Sequence, residues 1–450
     1  MSQSASPLAS EQPRQLAFLA LQSVYRGAYA DVAVHQTLQR GTLSEKNRGL
    51  FTELVYGCVR RRRTLEALVQ QFVKKPPPLP LLSIVQVGLY QLRYLNHIPP
   101  SAAVNTTVEL AKQNGLAGLA GLVNGVLRRY LRESEKGDPL QLPDSAIPRL
   151  GTLHSFPDWI VQVWVEQFGE GDADALCQWM NQSPSIDLRV NRLTTSIAQV
   201  QAEMEAAGVR VETLEAVPQA LRLTDHVGAV DRLPGFAEGK WMIQDASAQL
   251  VGQLVAPQPG DMVMDGCAAP GGKTTHLAEL MGDRGVVWAC DRNPKRLRKV
   301  EENAQRLQIQ SIRTLAADSR QLESFIGQAD RVLLDVPCSG LGTLQRHADA
   351  RWRQTPTSIE ELSTLQSELL AQGAAWVKPG GRLVYSTCTL HPRENEDVIQ
   401  HFLKSQPDWA IEKPDASWAS PFLKPAGWLQ VLPHHHQMDG FFMVCLRHRG

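Results

Sequence analysis

From Trp241 onward, the sequence repeats a strand pattern followed by a helix pattern. Strands are predicted at residues 262–266, 286–291, 312–317, 331–335, 382–387 and 441–446. Helices fit between the strands, for example over residues 295–307 and 358–377. Strands that alternate with helices form a mostly parallel sheet with helices on both faces. We therefore predict a doubly wound, Rossmann-like α/β domain over residues 239–450, which binds its ligands at the carboxyl ends of the strands.

The sequence before this domain predicts two further domains. Apolar residues recur at three- and four-residue spacing between residues 13 and 134, which is typical of packed helices. A proline cluster at residues 76–80 must end one helix and start the next. We predict an all-α domain over residues 1–150 and a small α/β module over residues 151–238. The module is indicated by two strands and a helix, at residues 188–192, 209–214 and 196–207.

Charge is unevenly distributed along a chain whose net charge is zero. Residues 1–150 hold 18 basic and 10 acidic side chains, and the remainder carries the compensating negative excess. A basic domain joined to an acidic body is typical of a polyanion-binding module, although a solvated helical surface explains the same count. The densest basic run is Arg60, Arg61, Arg62 and Arg63, which is either a phosphate contact of RNA or a solvated helix end.

Composition indicates a soluble protein of a reducing compartment. The 450 residues contain 43% hydrophobic residues, as in ordinary globular proteins of two or three domains. The amino-terminal residues lack an apolar signal core, and no run of about 18 apolar residues occurs. Seven cysteines without paired spacing favour the cytoplasm over a disulfide framework. The run His434–His436 is expected to be a loop without a metal ion.

A glycine-rich loop joins the first predicted strand of the large sheet to a helix, and its amide groups can meet an anionic ligand. The loop residues are Cys267, Ala268, Ala269, Pro270, Gly271, Gly272 and Lys273. A nucleoside triphosphate loop requires glycine six residues before the lysine, where this chain has Cys267. The small residues therefore fit S-adenosylmethionine better than a triphosphate, and the alternative is a tight turn without a ligand.

Two aspartates end the next two strands. Asp291 can accept hydrogen bonds from both hydroxyls of a ribose, as acids do at this place in other nucleotide sites. Asp318 lies where an adenine would be bound. Each has the alternative of capping the helix that follows it.

Cys338 and Cys388 end two further strands, 50 residues apart. Carbon 5 of cytosine becomes nucleophilic when a thiolate adds to carbon 6, and a second group must then remove the carbon-5 proton. Two cysteines can divide these roles, and Asp335 can bind the nitrogen edge of the base. A single cysteine is more often a small buried apolar residue, which is expected for Cys58, Cys177, Cys267, Cys290 and Cys445. Glu394 and Glu396 are expected at the positive end of the following helix, without a catalytic role.

Three motifs resemble the RNA cytosine-5 methyltransferases: the loop from Asp265, Leu334-Asp-Val-Pro-Cys-Ser-Gly and Tyr385-Ser-Thr-Cys-Thr. The helical amino-terminal region and Asp439-Gly-Phe-Phe are similar to the bacterial Sun/Fmu (RsmB) branch, which methylates a cytosine of 16S ribosomal RNA. The first domain resembles the RNA-binding NusB fold. The resemblance implies that Cys388 attacks and Cys338 assists release, an order that the spacing leaves open. It also implies cofactor contacts by Cys267–Lys273, Asp291, Asp318 and Asp335.

The resemblance implies an S-adenosylmethionine-dependent enzyme with small-subunit ribosomal RNA as partner. No DNA and no membrane are expected as partners, no metal is expected, and a monomer is favoured. Two other functions fit the same sequence. The catalytic domain can act on transfer RNA, or the protein can be a non-catalytic RNA-binding factor of the antitermination type.

Overall fold

The computed structural model describes residues 12–40, 43–224 and 228–449. The chain divides into two compact units. The first comprises Met1–Gln182 with Arg346–Arg353, and the second comprises Ser183–Gln345 with Gln354–Gly450. This division groups the small module with the large α/β domain, so the domain boundaries placed after residues 150 and 238 remain predictions.

Within the described ranges, the α-helices are labelled α1 to α17 in chain order. They span Pro13–Tyr25, Ala30–Arg40, Glu45–Arg60, Arg62–Phe72, Leu79–Tyr94, Pro100–Gln113, Ala120–Ser134, Ala146–His154, Asp158–Trp179, Ile197–Ala206, Ala246–Val255, Gly272–Leu280, Pro294–Arg306, Ala350–Arg353, Pro356–Trp376, Glu396–Ser405 and Pro433–His436. The strands are labelled β1 to β12 in the same way. They span Ile186–Val190, Val211–Leu214, Val217–Leu223, Trp241–Ile243, Met262–Asp265, Val286–Asp291, Ile312–Ala316, Ala329–Asp335, Val377–Thr387, Trp409–Ile411, Leu429–Val431 and Phe441–His448.

Helices are the regular elements of the first unit in its described residues, as the apolar spacing predicts. The proline cluster separates α4 from α5, since Pro80 stands in the first turn of α5, where a missing N–H costs nothing. The buried faces of α1, α3 and α5 form one apolar core that includes Leu21, Phe51 and Leu54.

Arg351 of α14 is fully buried in the first unit. Its Nη1 donates to the carbonyl of Ser155 at 3.2 Å and to Asn181 Oδ1 at 3.0 Å. Its guanidinium also lies over the ring of Phe156, 4.0 Å from the centroid. The short segment Arg346–Arg353 is therefore anchored in the helical unit, although its neighbours in sequence belong to the second unit.

The second unit is built on an eight-stranded sheet in the order β10-β12-β9-β8-β5-β6-β7, with β11 paired to β12. The strands β7, β6, β5, β8 and β9 run parallel to one another, and β12 joins β9 antiparallel. All six predicted strands are present, so the prediction of a mostly parallel sheet is confirmed.

Both faces of this sheet are covered by helices. On β8, Leu333 faces a core that contains Leu250 of α11 and Leu277 of α12. The neighbouring Leu334 faces a second core with Leu370 of α15. Since successive strand residues point to opposite faces, two cores on one strand are the mark of a sheet between two helical layers. The doubly wound architecture is thereby confirmed.

The small module is an antiparallel sheet in the order β2-β3-β1-β4. Arg189 of β1 is fully buried, and its Nη2 donates to Glu279 Oε1 of α12 at 2.8 Å and to Thr275 Oγ1 at 2.9 Å. Asn191 Nδ2 donates to the carbonyls of Gly239 and Leu307, each at 3.0 Å. These buried polar contacts fasten the module to the large sheet within one unit.

None of the helices in the described part of the chain combines the length and the apolar character that crossing a membrane requires.

Replacing Glu279 with alanine should destabilise the second unit strongly. The change leaves the buried guanidinium of Arg189 without its carboxylate, and breaking a buried ion pair costs about 3–5 kcal/mol. Urea unfolding measures the effect, with Glu302→Ala as control, because Glu302 is exposed on α13. The control should change the free energy of unfolding by less than about 0.5 kcal/mol. Equal stabilities of the two variants would contradict a structural role for the buried pair.

Candidate active site

The glycine-rich loop lies at the carboxyl end of β5, between Asp265 and the first turn of α12. Gly271 has φ of 102°, and a Cβ at this position would lie 3.0 Å from the Cα of Val300. A side chain here would be strained by the backbone conformation and crowded by the neighbouring helix. The predicted strand–loop–helix arrangement of the residues Cys267, Ala268, Ala269, Pro270, Gly271, Gly272 and Lys273 is present.

Asp265 is a buried acid beneath this loop that sequence reasoning did not single out. Its carboxylate accepts a hydrogen bond from Thr274 Oγ1 at 2.7 Å. Burial raises the pKa of Asp265 to about 7, although the Thr274 hydrogen bond opposes this change. Asp265 lies at the end of a predicted strand, and this position in the sequence could have indicated a site residue.

Asp291 is buried at the end of β6. Its Oδ1 accepts from the amide of Asn293 at 2.8 Å, and its Oδ2 lies 3.4 Å from Arg296 Nη1. The cap of α13 is Asn293, whose side chain accepts from the amide of Lys295. The helix-capping role considered for Asp291 therefore belongs to Asn293.

Asp318 follows β7 and holds Arg320 in place. It accepts from the Arg320 amide at 3.1 Å and from Arg320 Nη2 at 2.6 Å. The hydrogen bond with Arg320 holds the pKa of Asp318 below its usual value. The capping role considered for Asp318 is thus present, and an adenine contact at this residue stays a prediction.

Cys338 and Cys388 meet at the carboxyl ends of neighbouring parallel strands. β8 pairs with β9 in a register that sets Asp335 opposite Ser386, and each cysteine follows its strand within three residues. The two Sγ atoms are 3.4 Å apart. The prediction that both thiols lie together on adjacent strands is confirmed.

The thiol of Cys338 is held in its protonated form. Its hydrogen bond with Cys388, its burial and the nearby charge of Glu394 raise the pKa of Cys338 well above its usual range. Cys338 is therefore a neutral thiol at pH 7 in this arrangement. Such a group can donate a hydrogen bond to a thiolate on Cys388.

Lys273 connects the glycine-rich loop to Asp335 at the end of β8. Its Nζ donates to Asp335 Oδ2 at 2.7 Å and lies 4.9 Å from the ring centroid of Phe441. Burial lowers the pKa of Lys273, but the charge and hydrogen bond of Asp335 outweigh it, so the pKa is raised. Asp335 Oδ1 also accepts from Ser386 Oγ at 2.9 Å.

The side-chain role of Lys273 was missed by sequence reasoning, which counted it only as a loop residue. The pairing joins residues 62 positions apart, and nothing in the local pattern records it. A basic residue in the first turn of a helix opposes the helix dipole, and this was the available signal.

The arginine run is engaged within the first unit. Arg60 is buried, which contradicts its prediction as a surface phosphate contact. Arg61 lies over the ring of Tyr94, and Arg62 pairs with Glu66 at 2.9 Å. Arg63 Nη1 donates to Asp158 at 2.6 Å. RNA contacts by Arg61, Arg62 and Arg63 stay predictions.

The structure also tests the predictions for the histidine run and for the single cysteines. His434–His436, expected as a loop, belong to the short helix α17, because Pro433 starts a helical turn there. Four cysteines are buried as predicted: Cys58, Cys177, Cys290 and Cys445. Cys267 of the loop is partly exposed, which contradicts the buried role expected for it as a single cysteine.

Comparison with known proteins identifies the family. A family model described as 16S rRNA methyltransferase RsmB/F matches residues 252–447. The NusB family matches residues 11–132, and the ferredoxin-like domain of RsmF/B-like methyltransferases matches residues 156–230. The expected fold class of an all-α NusB-like domain, a small α/β module and a Rossmann-like methyltransferase domain is thereby confirmed.

Relatives match along nearly the whole chain. A probable ribosomal RNA small subunit methyltransferase B of Synechocystis is 49% identical, covering 96% of this chain and 99% of the relative. A protein of the same description from Bacillus subtilis is 36% identical, covering 94% and 95%. The crystal structure of the protein PH0851 has a TM-score of 0.80 and 26% identity, covering 99% of this chain and 100% of the other. The chain belongs to the RsmB/F family of 16S rRNA methyltransferases.

Removing Cys388 should make Cys338 more reactive toward iodoacetamide. The largest cause of the raised Cys338 pKa is its hydrogen bond with Cys388, so Cys388→Ala should move the midpoint of the alkylation profile of Cys338 to lower pH. At a fixed pH below that midpoint, the alkylation rate should rise about tenfold when the pKa falls by one. Mass spectrometry of each cysteine across the alkaline range measures the profile.

The matched control for this measurement is Cys445→Ala, which removes a buried thiol of the same sheet. Its Cys338 profile should coincide with that of the unchanged protein. A Cys338 midpoint that is the same in Cys388→Ala would show that the two thiols do not interact.

Proposed function

We propose that this protein transfers a methyl group from S-adenosylmethionine to carbon 5 of a cytosine in 16S ribosomal RNA. The observation that supports the chemistry best is the pair of thiols 3.4 Å apart, beside an aspartate that Lys273 binds. Two cysteines and a carboxylate meet the three needs of the reaction: a nucleophile, help with release and a partner for the nitrogen edge of the base. The relatives named ribosomal RNA small subunit methyltransferase B support the substrate.

The residues at the carboxyl ends of β5 and β6 fit the cofactor. Gly271 keeps the loop free of a side chain next to α13, and the first amides of α12 are available to a carboxylate. The buried Asp291 carboxylate suits two ribose hydroxyls, and Asp318 suits the adenine. S-adenosylmethionine, when bound, supplies an electrophilic methyl group.

In the proposed cycle, the Cys388 thiolate forms a bond to carbon 6 of the cytosine. Asp335 accepts hydrogen bonds from the nitrogen edge of the base, and Lys273 holds that carboxylate in place. Carbon 5 then takes the methyl group in a step that depends on alignment. The carbon-5 proton then passes to a water molecule, and its bonding electrons form the double bond between carbons 5 and 6. The bond between carbon 6 and sulfur breaks at the same time, with Cys338 assisting release, and the Cys388 thiolate returns.

The target cytosine must leave its stack to reach these thiols. Unstacking costs a few kcal/mol and least in a single-stranded or incompletely assembled RNA. Comparison of 16S ribosomal RNA with transfer RNA as substrates, with the methylated position mapped on each, tests the choice of RNA.

The two thiols should give opposite results when each is removed. Cys388→Ala should abolish methylation and adduct formation, since no thiolate then reaches carbon 6. Cys338→Ala should accumulate a covalent complex with RNA, because attack remains and release fails. A denaturing gel with RNA and S-adenosylmethionine separates the two outcomes, and Cys445→Ala should behave as the unchanged protein. A stable adduct in Cys388→Ala would reverse the assignment.

Asp291→Ala should weaken S-adenosylmethionine binding while leaving the fold intact. Losing hydrogen bonds to a charged acceptor costs about 1.5–3 kcal/mol, which corresponds to a roughly ten- to hundredfold higher dissociation constant. Calorimetry measures it, with Asp231→Ala as control, since Asp231 is an exposed acid of the same unit. Unchanged affinity in Asp291→Ala would remove Asp291 from the cofactor site.

A further inference from the structure

Glu394 is a buried carboxylate that the proposed reaction does not use. It stands in a short turn between β9 and α16, ahead of the helix start at Glu396. The sequence indicated a carboxylate at the positive end of a helix, and Glu396 meets that expectation. The side chain of Glu394 instead points at the loops that carry the two thiols, as its hydrogen bonds show.

Three of the donor groups that contact Glu394 belong to the immediate neighbours of the two cysteines. The amide of Ser339, next to Cys338, donates to Oε1 at 2.8 Å, and the Ser339 hydroxyl donates to Oε2. The hydroxyl of Thr389, next to Cys388, lies 3.2 Å from the same Oε2. The two hydroxyls are also 2.8 Å from each other. One carboxylate thus joins the residue after each thiol.

The other neighbours of the two cysteines are held by the same small group of residues. Gln366 Nε2 donates to Glu394 Oε1 at 3.0 Å and to the carbonyl of Pro337 at 2.9 Å, on the other side of Cys338. Asn395 Oδ1 accepts from Thr387 Oγ1 at 2.6 Å, and its Nδ2 donates to the carbonyl of Thr389 at 3.0 Å. Each thiol is therefore fixed on both sides along the chain.

Burial raises the pKa of Glu394, and the hydrogen bonds from Ser339, Gln366 and Thr389 oppose this change. These partners fit an ionised carboxylate. An amide, a side-chain amide and two hydroxyls can all donate to its two oxygens, which offer about four acceptor positions. The hydrogen bond with Cys388 and burial raise the pKa of Cys338, and burial raises the pKa of Tyr385; the charge of Glu394 adds to the rise in both. His391, three residues earlier, is neutral at pH 7, because burial lowers its pKa to about 4.

We propose that Glu394 is a positioning residue that clamps the two cysteine loops together and holds the thiols in reach of each other. Its negative charge beside Cys338 adds to the effects of the Cys388 hydrogen bond and of burial, which also favour the protonated thiol. The catalytic part of this proposal rests on the proposed function, whereas the effect on the free thiols does not require RNA.

Three variants distinguish the effect of the Glu394 charge, the effect of its hydrogen bonds to the two cysteine loops, and the effect of an unrelated change at the surface. Glu394→Gln keeps the size of the side chain and replaces the charge by an amide that can still bind the two hydroxyls. Glu394→Ala removes every contact with Ser339, Thr389 and Gln366. Glu361→Gln is the control, since Glu361 is exposed on the same helix as Gln366. Thermal unfolding and S-adenosylmethionine binding report whether each variant is folded.

The first measurement is iodoacetamide labelling of each cysteine across pH in the free protein. Glu394→Gln should move the Cys338 profile to lower pH and raise its labelling rate at a fixed pH below the midpoint, because a negative charge that disfavours the thiolate is gone. Glu361→Gln should leave the profile unchanged. A Glu394→Gln profile that coincides with the control would overturn the electrostatic role, even where the protein methylates RNA normally.

The second measurement is steady-state methylation of 16S ribosomal RNA. Glu394→Ala should lower kcat at least a hundredfold with KM for RNA changed less than about threefold, because the clamp orders groups that act in the reaction rather than in binding. Glu394→Gln should recover at least a tenth of the normal kcat. Normal kcat in a folded Glu394→Ala would overturn the clamp. The labelling profiles of Cys338 could follow the expectation while the unchanged protein methylates no cytosine. That result would support the charge effect of Glu394 and would refute only the proposed function.

Discussion

The parallel pairing of β8 with β9 is the constraint on which the rest of the candidate site depends. Its register places Asp335 opposite Ser386, and the two strands end at the same edge of the sheet. Strands advance about 3.3 Å per residue, so a slip of two residues would move one thiol by roughly 7 Å. The separation of 3.4 Å between the Sγ atoms would then be lost. Two apolar cores pack against β8, one on each face of the sheet, and this packing fixes the register.

Helix α12 links the strand pair β8 and β9 to the glycine-rich loop and to the small module of the second unit. Lys273 in its first turn binds Asp335, beside the thiols, and Glu279 near its end binds Arg189 of the small module. The glycine-rich loop leads directly into this helix. The pair of Arg189 with Glu279 is fully buried and therefore costly to rearrange, because each ion separated from its partner keeps its desolvation penalty. The loop, the module and the thiol pair are therefore joined by one helix held at both ends.

The sequence predicted the parts of this structure that local pattern determines and missed those that depend on distant partners. The six strands, the loop and the meeting of Cys338 with Cys388 follow from periodicity and from the rule that parallel strands end at one edge. Arg60 was wrongly predicted to contact RNA at the surface, because the sequence shows its charge but not its burial. Its carbonyl accepts a hydrogen bond from Arg351, 291 residues away. The pairing of Lys273 with Asp335 was missed for the same reason. Both residues belong to recognised motifs, but nothing in the local sequence indicates that they contact each other.

Glu394 shows a further reason why sequence reasoning falls short at such a site. Acids near a helix start are usually solvated and stabilised by the helix dipole, and two candidates stood two residues apart. Only Glu396 occupies the helix start, because the turn at Pro392–Glu394 directs the earlier carboxylate inward to the amide of Ser339. Burying a carboxylate is favourable only where donors replace its water, and the loops beside both cysteines supply those donors. The polar residues after each thiol, Ser339 and Thr389, are thus explained by the acid that they must satisfy.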